Sequence, residues 1–565
     1  MRVNQKAWNW LIVTASNDLQ AAAYRSLLIA REGSPLLASF ERWQVIPDPG
    51  GQRVGSGGST VFCLMEIASI IMQEAHFPVD SWEKLEELLS SQRVMIIHAG
   101  GDSRRLPAYA PCGKLFVPIP RCNDSVAEAS GYSFSLFDRL LSDLAQLPAG
   151  KEGQGQYLVV SGDALLLYNP NEIRFDFSGM TAVGVSRPLN ECLKHGVLCA
   201  DVDVDARVRF YLQKPTQQLM ESSGALLNSN YGLLDAGLMS FDAHFAIKLM
   251  QSLNVEFGSG DWVKWNNNFL SLTMEKGLDF YREICCALGT ESSFEHYLRS
   301  VRQSGSLWPD VELESLYKGL QDLPFYCQIV SWCDFLHFGA TAQLISSAQS
   351  LIGWNSKRKE ETSREFVLNS CVRSSDLLVG TSYWIEGCQI ESQLYLEGGN
   401  VLTGLTIQNA QGFPRGCCLD ISEGAQPDGK SCWFIRPYGV DDSFKESLEG
   451  KGTFCNLPLK EWLSKSGIEP EWVWDNFGNG EKCTLWNARF FPALGNPADY
   501  QDWLWYFEPE KARNNPALID LFLNTPRYDC STMARLVDLE KFHVRRLALN
   551  GIGEDRITNK TQNEK

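Results

Sequence analysis

Three short apolar runs, Leu11-Ile12-Val13-Thr14-Ala15, Val94-Met95-Ile96-Ile97-His98 and Tyr157-Leu158-Val159-Val160-Ser161, each give way to Gly, Ser or Asp within two residues. Their length and composition are those of buried strands, and the turn-forming residues that follow end them. Apolar residues at helical spacing predict helices over 60–73 and 134–146. Buried strands alternating with helices imply an α/β domain with a mostly parallel sheet, whose ligands lie beyond the carboxyl ends of the strands. This pattern defines a first domain over 1–355.

The character then changes. Val367-Leu368-Asn369-Ser370-Cys371-Val372, Ser382-Tyr383-Trp384-Ile385, Gln393-Leu394-Tyr395-Leu396 and Val401-Leu402 are short β-type pieces punctuated by Gly and Ser. Stacked coils of a β-helix produce such a pattern over 356–450, and so does an ordinary antiparallel β domain. A Trp-rich mixed region is expected over 451–550, and a disordered polar tail over 551–565.

Composition narrows the partners. A net charge of −17, with no block of Lys and Arg, disfavours long-range attraction to nucleic acid or anionic lipid. No run approaches the ~18 consecutive apolar residues of a membrane span, so a soluble protein is expected. The first fifteen residues faintly imitate a signal peptide, but Asn9 interrupts the apolar run and a first buried strand fits better. The 17 cysteines are odd in number, include the adjacent pairs Cys285-Cys286 and Cys417-Cys418, and form no CxxC. This fits a reducing cytoplasm and neither a disulfide framework nor a zinc ribbon. Cys192 and His195 have ligand-like spacing but lack a second pair.

The chemistry-bearing residues follow the second run: Ala99-Gly100-Gly101-Asp102-Ser103-Arg104-Arg105-Leu106-Pro107, then Gly113-Lys114. Gly100 and Gly101 let backbone N–H groups approach a polyphosphate, and Arg105 and Lys114 are two cations that can converge on it. Nucleotidyl transfer needs this combination, because charge builds on phosphate oxygens and departing pyrophosphate. Asp163, in Val159-Val160-Ser161-Gly162-Asp163, ends a buried strand where a carboxylate can hold Mg²⁺ among phosphates. A strand-end Asp also caps helices and closes turns, and the Gly100–Lys114 motif favours the metal. Upstream, Gly55-Ser56-Gly57-Gly58-Ser59-Thr60 precedes a helix; it can seat a phosphate or a flat base, or simply form flexible turns. Lys194-His195-Gly196-Val197 and Gln213-Lys214-Pro215 set polar side chains beside β-type sequence. The alternation Asp201-Val202-Asp203-Val204-Asp205 reads as an exposed edge strand.

The segments Asp48-Pro49-Gly50-Gly51, Gly55-Ser56-Gly57-Gly58-Ser59-Thr60, His98-Ala99-Gly100-Gly101, Ser103-Arg104-Arg105-Leu106-Pro107 and Gly113-Lys114 closely resemble the fucose-1-phosphate guanylyltransferase family, including the pyrophosphorylase half of bifunctional fucokinase/GDP-fucose pyrophosphorylases. Supporting similarity lies at His195-Gly196-Val197, Gln213-Lys214-Pro215, His337-Phe338-Gly339-Ala340-Thr341 and Leu485-Trp486-Asn487-Ala488-Arg489-Phe490-Phe491-Pro492. The resemblance implies a sugar-nucleotidyltransferase α/β domain followed by a β-helical region. It also implies the conversion of GTP and L-fucose 1-phosphate into GDP-L-fucose and pyrophosphate. Gly100, Gly101 and Arg105 would then form the phosphate loop, with Lys114 its lysine and Asp163 the Mg²⁺ carboxylate. His195 and Lys214 would face the sugar phosphate. Members of this superfamily usually carry the glycine loop on their first strand. Here a strand and the Gly55–Gly58 segment precede it, as if rearranged so that this segment serves the base. No second glycine-rich phosphate loop opens a helix after Glu461; Gly478-Asn479-Gly480 leads into Cys483-Thr484-Leu485-Trp486, which reads as strand. The chain is therefore expected to be a separate pyrophosphorylase, or part of a protein fused to or associated with a fucokinase. The alternatives are a silent sugar-nucleotide scaffold, a pyrophosphorylase for another sugar 1-phosphate, and an acyltransferase. A sustained hexapeptide repeat, which the last would require, is missing.

Overall fold

Val94 to Ile97 are fully buried because their strand lies in the middle of a sheet, covered on both faces. In the computed structural model, which describes residues 7–549 apart from 102, 122–131, 201–205, 229, 259–261, 357–363 and 481, seven strands form that sheet's main path. They are β1 (Trp8–Ala15), β2 (Phe40–Pro47), β3 (Arg93–His98), β4 (Gln156–Ser161), β5 (Met180–Pro188), β6 (Tyr231–Phe241) and β7 (Phe325–Val330), in the order β7-β5-β6-β4-β3-β1-β2. The strands from β4 to β2 pair in parallel, as do β7 and β5. β6, however, runs antiparallel to both β5 and β4. The sheet is therefore mixed rather than mostly parallel. The chain from β5 to β6 passes through a hairpin, Gly196–Ala200 with Val208–Gln213, instead of a long crossover helix, and returns in the opposite sense.

Helix α1 (Asp18–Ile29) starts where Asn17 Oδ1 accepts from the Gln20 amide. Helix α2 (Gly55–Glu74) begins five residues before the predicted start, because the Leu278 carbonyl accepts from the Gly57 and Gly58 amides and so caps the first turn. Among the described residues it is one helix long and apolar enough by composition to cross a membrane, yet 61% of its most apolar window is buried within the protein. Helix α3 (Leu136–Leu144) opens with a capping box of Ser135 and Asp138, and Asp138 pairs with buried Arg31 at 2.7 Å.

Beyond residue 364 the strands stack in parallel. Glu365–Leu368, Tyr383–Glu386, Asn400–Thr403 and Cys417–Ala425 lie side by side, with Tyr383 opposite Asn400 and Val401 opposite Cys418. Two further parallel sets, Cys371–Val372 with Gln389–Ile390 and Thr406–Ile407, and Leu378–Gly380 with Leu394–Leu396 and Gln411–Phe413, repeat this order. Ser431–Gly439 then pairs antiparallel to Cys417–Ala425. One buried cluster runs from Trp8 through Tyr109, Trp384 and Trp486 to Phe542, so the sheet and the later strands share a core. The segment read as a strand at 483–486 instead leads into a 3₁₀ turn, Leu485–Asn487, because Thr484 and Asn487 cap each other reciprocally. The polar tail at 551–565 and the alternation at 201–205 lie outside the described residues.

Candidate active site

The site forms where β3 and β4 end side by side, with His98 opposite Ser161. His98 is held by Thr60, whose hydroxyl lies 2.9 Å from Nε2, and burial lowers its pKa to about 4, so the ring is neutral at pH 7. The chain then turns sharply. Tyr24 of α1 donates to the Ala99 carbonyl at 2.9 Å, and Gln20 Nε2 donates to the Gly101 carbonyl at 3.3 Å. Gly101 has φ +116° and a side chain there would meet nothing within 4 Å, so its glycine serves backbone conformation. Ser103, 2% exposed, has φ +53°, and its buried hydroxyl has no partner among the described residues. At Gly113, φ +71°, a Cβ would lie 2.1 Å from the Tyr24 hydroxyl. That close approach fixes where Lys114 starts its short 3₁₀ turn, Lys114–Phe116.

Gly162 lets β4 turn against β3: its amide donates to the His98 carbonyl at 2.9 Å, where an added Cβ would sit 2.8 Å from the same oxygen. Asp163 follows, accepting from the Ser161 hydroxyl at 2.9 Å and facing Lys114 Nζ at 3.5 Å. Burial alone would raise this carboxyl, but Lys114, the Ser161 hydroxyl, His337 and Arg105 together hold it below the usual carboxylate range. Lys114 is lowered by burial and by the cations Arg105 and Lys445, against the pull of Asp163.

Strand Cys333–His337 pairs antiparallel with Ala164–Tyr168, setting His337 opposite Ala164 and next to Asp163. Gly339 follows; a side chain there would approach Asp163 Oδ2 at 3.3 Å and Lys114 Nζ at 3.6 Å, so glycine keeps that pair uncovered. His337 stacks on His195, with ring centroids 6.3 Å apart and planes 2° apart. Both imidazoles are lowered, chiefly by burial and then by nearby cations, with His337 also raised by Asp163. The hairpin that bears His195 also brings in Lys214, whose amide donates to the His195 carbonyl at 2.9 Å. Lys214 has φ +49°, an uncommon conformation for a lysine and one that recurs at ligand-binding sites.

Gly100, Gly101, Arg105, Lys114, Asp163, His195 and Lys214 are thus assembled at one end of the sheet. The Gly55–Gly58 segment is placed differently. The Gly57 and Gly58 amides are occupied by Leu278, the Ser56 hydroxyl accepts from the Phe280 amide, and a Cβ at Gly55 would lie 2.3 Å from the Leu278 carbonyl oxygen. The glycines here answer to the packing of the segment after residue 277, and the Gly57 and Gly58 amides are not free for a phosphate.

Two residues near the site, Lys445 and Asp235, gave no signal in the sequence; Asp235 lies against Gly196, next to His195. Lys445 reaches the site from far along the chain without a local signature, whereas His337 lies in the His337–Thr341 segment of family similarity but is given no role there. Asp235 lies at a bulge in β6, 7% exposed, accepting from the Tyr211 hydroxyl at 2.7 Å and the Gly237 amide at 2.8 Å. Burial, against those two hydrogen bonds, pushes its carboxyl up to about 6. Because the folded value exceeds the unfolded one, near 4, the contribution to stability declines as pH rises from about 4 to about 6. Asp235→Asn, uncharged throughout, should therefore gain on the native chain by about 1 kcal/mol between pH 5 and pH 7. Urea unfolding at the two pH values measures this, and parallel profiles for the two proteins would refute it.

Residues 86–496 match the family model described as the fucose pyrophosphorylase domain. The chain is 26% identical to the L-fucokinase/L-fucose-1-P guanylyltransferase of Bacteroides fragilis, over 75% of its own length and 40% of that protein. It is 25% identical to the bifunctional fucokinase/GDP-fucose pyrophosphorylase of Arabidopsis thaliana, over 86% and 47%. It is 21% identical to the fucose-1-phosphate guanylyltransferase of Homo sapiens, over 87% and 82%. The chain spans less than half the length of the two bifunctional relatives. With the domain match covering most of its residues, including the glycine loop, Lys114, Asp163 and Lys214, this chain belongs to the fucose pyrophosphorylase family.

Proposed function

We infer that the site transfers a guanylyl group from GTP to L-fucose 1-phosphate, giving GDP-L-fucose and pyrophosphate. The reading is carried by one observation: Arg105 and Lys114 gather at the glycine loop beside the carboxylate of Asp163, with Lys214 brought in next to His195, in a chain whose net charge is −17. Such a cationic pocket suits two phosphorylated substrates held together. An oxygen of the sugar phosphate attacks the α-phosphorus of GTP, a P–O bond forms, and the bond to the β-phosphate breaks to release pyrophosphate. The chain supplies no covalent intermediate. Gly100 and Gly101 present the loop backbone and Arg105 its charge to the triphosphate, Lys114 opposes charge at the α-phosphate, and Lys214 with neutral His195 orients the sugar phosphate. The preference for guanine and for fucose rests on the family, as does a role for Gly55–Gly58 beside the base.

Asp163 fits Mg²⁺ as one carboxylate acting with substrate phosphate oxygens; among the described residues no group of three or more acidic, His or Cys side chains forms a protein-only cage. When bound, the ion would neutralise phosphate oxygens as charge builds. The three parallel strand sets after residue 364 support reading 356–450 as a β-helical domain behind a 1–355 nucleotidyltransferase domain, with a mixed region at 451–550. The described cysteines are all free and mostly buried, which supports a cytoplasmic setting. Association or fusion with a fucokinase is suggested by the bifunctional relatives.

The test is pyrophosphate release from a panel of nucleoside triphosphates and sugar 1-phosphates. GTP with fucose 1-phosphate should give the highest kcat/KM, since a site built to hydrogen-bond one partner penalises its analogues. Faster turnover of UTP or ATP would overturn the guanylyl assignment, and no turnover of any pair would favour a silent scaffold.

A further inference from the structure

The motif Leu485-Trp486-Asn487 lies almost four hundred residues after the glycine loop, yet the fold sets the two against each other. The guanidinium of Arg104 lies 5.6 Å from the centre of the Trp486 ring, which is 6% exposed. The Trp486 amide donates to the Phe444 carbonyl at 3.1 Å, and Leu448 donates to the Cys483 carbonyl at 2.8 Å. Phe444 is fully buried against Tyr438 and Phe491. Asp442, two residues earlier, accepts from the Gly439 and Cys455 amides at 2.6 and 2.7 Å, which pins the turn that carries this stretch. Lys445 therefore projects from a backbone anchored on both sides, next to the residue that holds the platform under Arg104, and its own side chain is exposed.

Its electrostatic surroundings agree with this placement. Partial burial lowers the Lys445 ammonium, and Arg105, then Lys214 and Arg104, lower it further, with Glu446 opposing them. Like charges have been brought together across three distant parts of the chain. Such an arrangement costs stability in the free protein and is offset when an anion arrives. The buried Ser103 hydroxyl, unpartnered among the described residues, lies in the glycine loop.

We propose that Lys445, supplied from beyond the stacked strands and carried beside the contact of Trp486 with Arg104 of the glycine loop, binds the pyrophosphate end of the triphosphate and the free pyrophosphate that leaves. The site is then composite, with the sheet domain supplying the loop and the later region one of its cations. This rests on the reaction proposed above, and the experiment separates the two. The full chain, its Lys445→Met variant and its Lys445→Arg variant are titrated with inorganic pyrophosphate in the presence of Mg²⁺. The same proteins are then assayed for KM of fucose 1-phosphate, and thermal melts confirm that each is folded. Lys445→Met should bind pyrophosphate about tenfold more weakly, the size expected for one charge-assisted contact, and Lys445→Arg should recover most of that loss. The KM for fucose 1-phosphate should stay within about threefold. Unchanged pyrophosphate affinity in folded Lys445→Met, a loss confined to fucose 1-phosphate, or no binding of pyrophosphate by the native chain would overturn the proposal. Lys445-dependent pyrophosphate binding by a chain that makes no GDP-fucose would instead leave it standing and sink the proposed reaction.

Discussion

Asp163→Asn is expected to lower kcat by about 100-fold or more while the protein remains folded, the scale seen when a preorganised charge is removed from a reacting centre. The side chain is 38% exposed, and its contacts are to Lys114 and Ser161 rather than to the core, so asparagine fits the same space. What changes is charge. The carboxylate is held ionised well into acid by Lys114, Ser161, His337 and Arg105, so at neutral pH the substitution removes a full negative charge. Arg105 and Lys114 then face the triphosphate without the counter-charge of Asp163. Binding of GTP should therefore be retained or tightened while turnover falls, and this split between KM and kcat is the signature sought. Pyrophosphate release under saturating substrate measures the first quantity and nucleotide titration the second. Near-native turnover by folded Asp163→Asn would show that the divalent cation and the α-phosphate are governed by another group.

Arg436→Ala should be the most destabilising of the changes considered, by about 3–5 kcal/mol, the range for stranding one partner of a buried ion pair. Arg436 and Asp420 are 3% and 1% exposed and bonded at 2.7 and 3.0 Å. Without the guanidinium, Asp420 is a buried charge with no counterpart. The same guanidinium donates to the Pro107 carbonyl at 2.8 Å, and Pro107 closes the glycine loop just after Arg105. Folded Arg436→Ala should therefore also bind GTP more weakly, although Arg436 itself lies beneath the site. Replacing both partners, as Arg436→Leu with Asp420→Leu, removes the stranded charge and should restore much of the stability but not the GTP affinity. Denaturant midpoints and nucleotide titrations of the single and double variants decide this; a double variant no more stable than the single would refute the stranded-charge account.

The parts of the site that could be read from residues are those whose chemistry is local. A buried strand followed by paired glycines, then an arginine and a lysine, states its geometry within twenty residues, and Gly162-Asp163 does so within two. Asp235 was silent because its role depends on a bulge and on Tyr211 in another strand. The mixed sheet was equally hidden: β6 is as apolar as its parallel neighbours, and only the course of the intervening hairpin sets its direction. Gly55–Gly58 was ambiguous for a different reason. Glycines ahead of a helix suit a phosphate or a tight packing partner equally well, and here the carbonyl of Leu278, more than two hundred residues away, occupies the Gly57 and Gly58 amides.

The bracing of the loop also has a consequence in time. Pro107 and the guanidinium that holds it are 329 residues apart, and the buried Arg546–Glu386 pair beneath Tyr109 is closed only by one of the last described helices. At ~5–20 residues per second, a ribosome needs roughly 15–65 s to travel from the first of these residues to Arg436. Throughout that interval the sheet strands can pair, but the loop that cradles the phosphates lacks its far wall. A nascent chain that has not yet released Arg436 and the helix bearing Arg546 should therefore be unable to hold nucleotide firmly, and competence arrives only when both have left the exit tunnel.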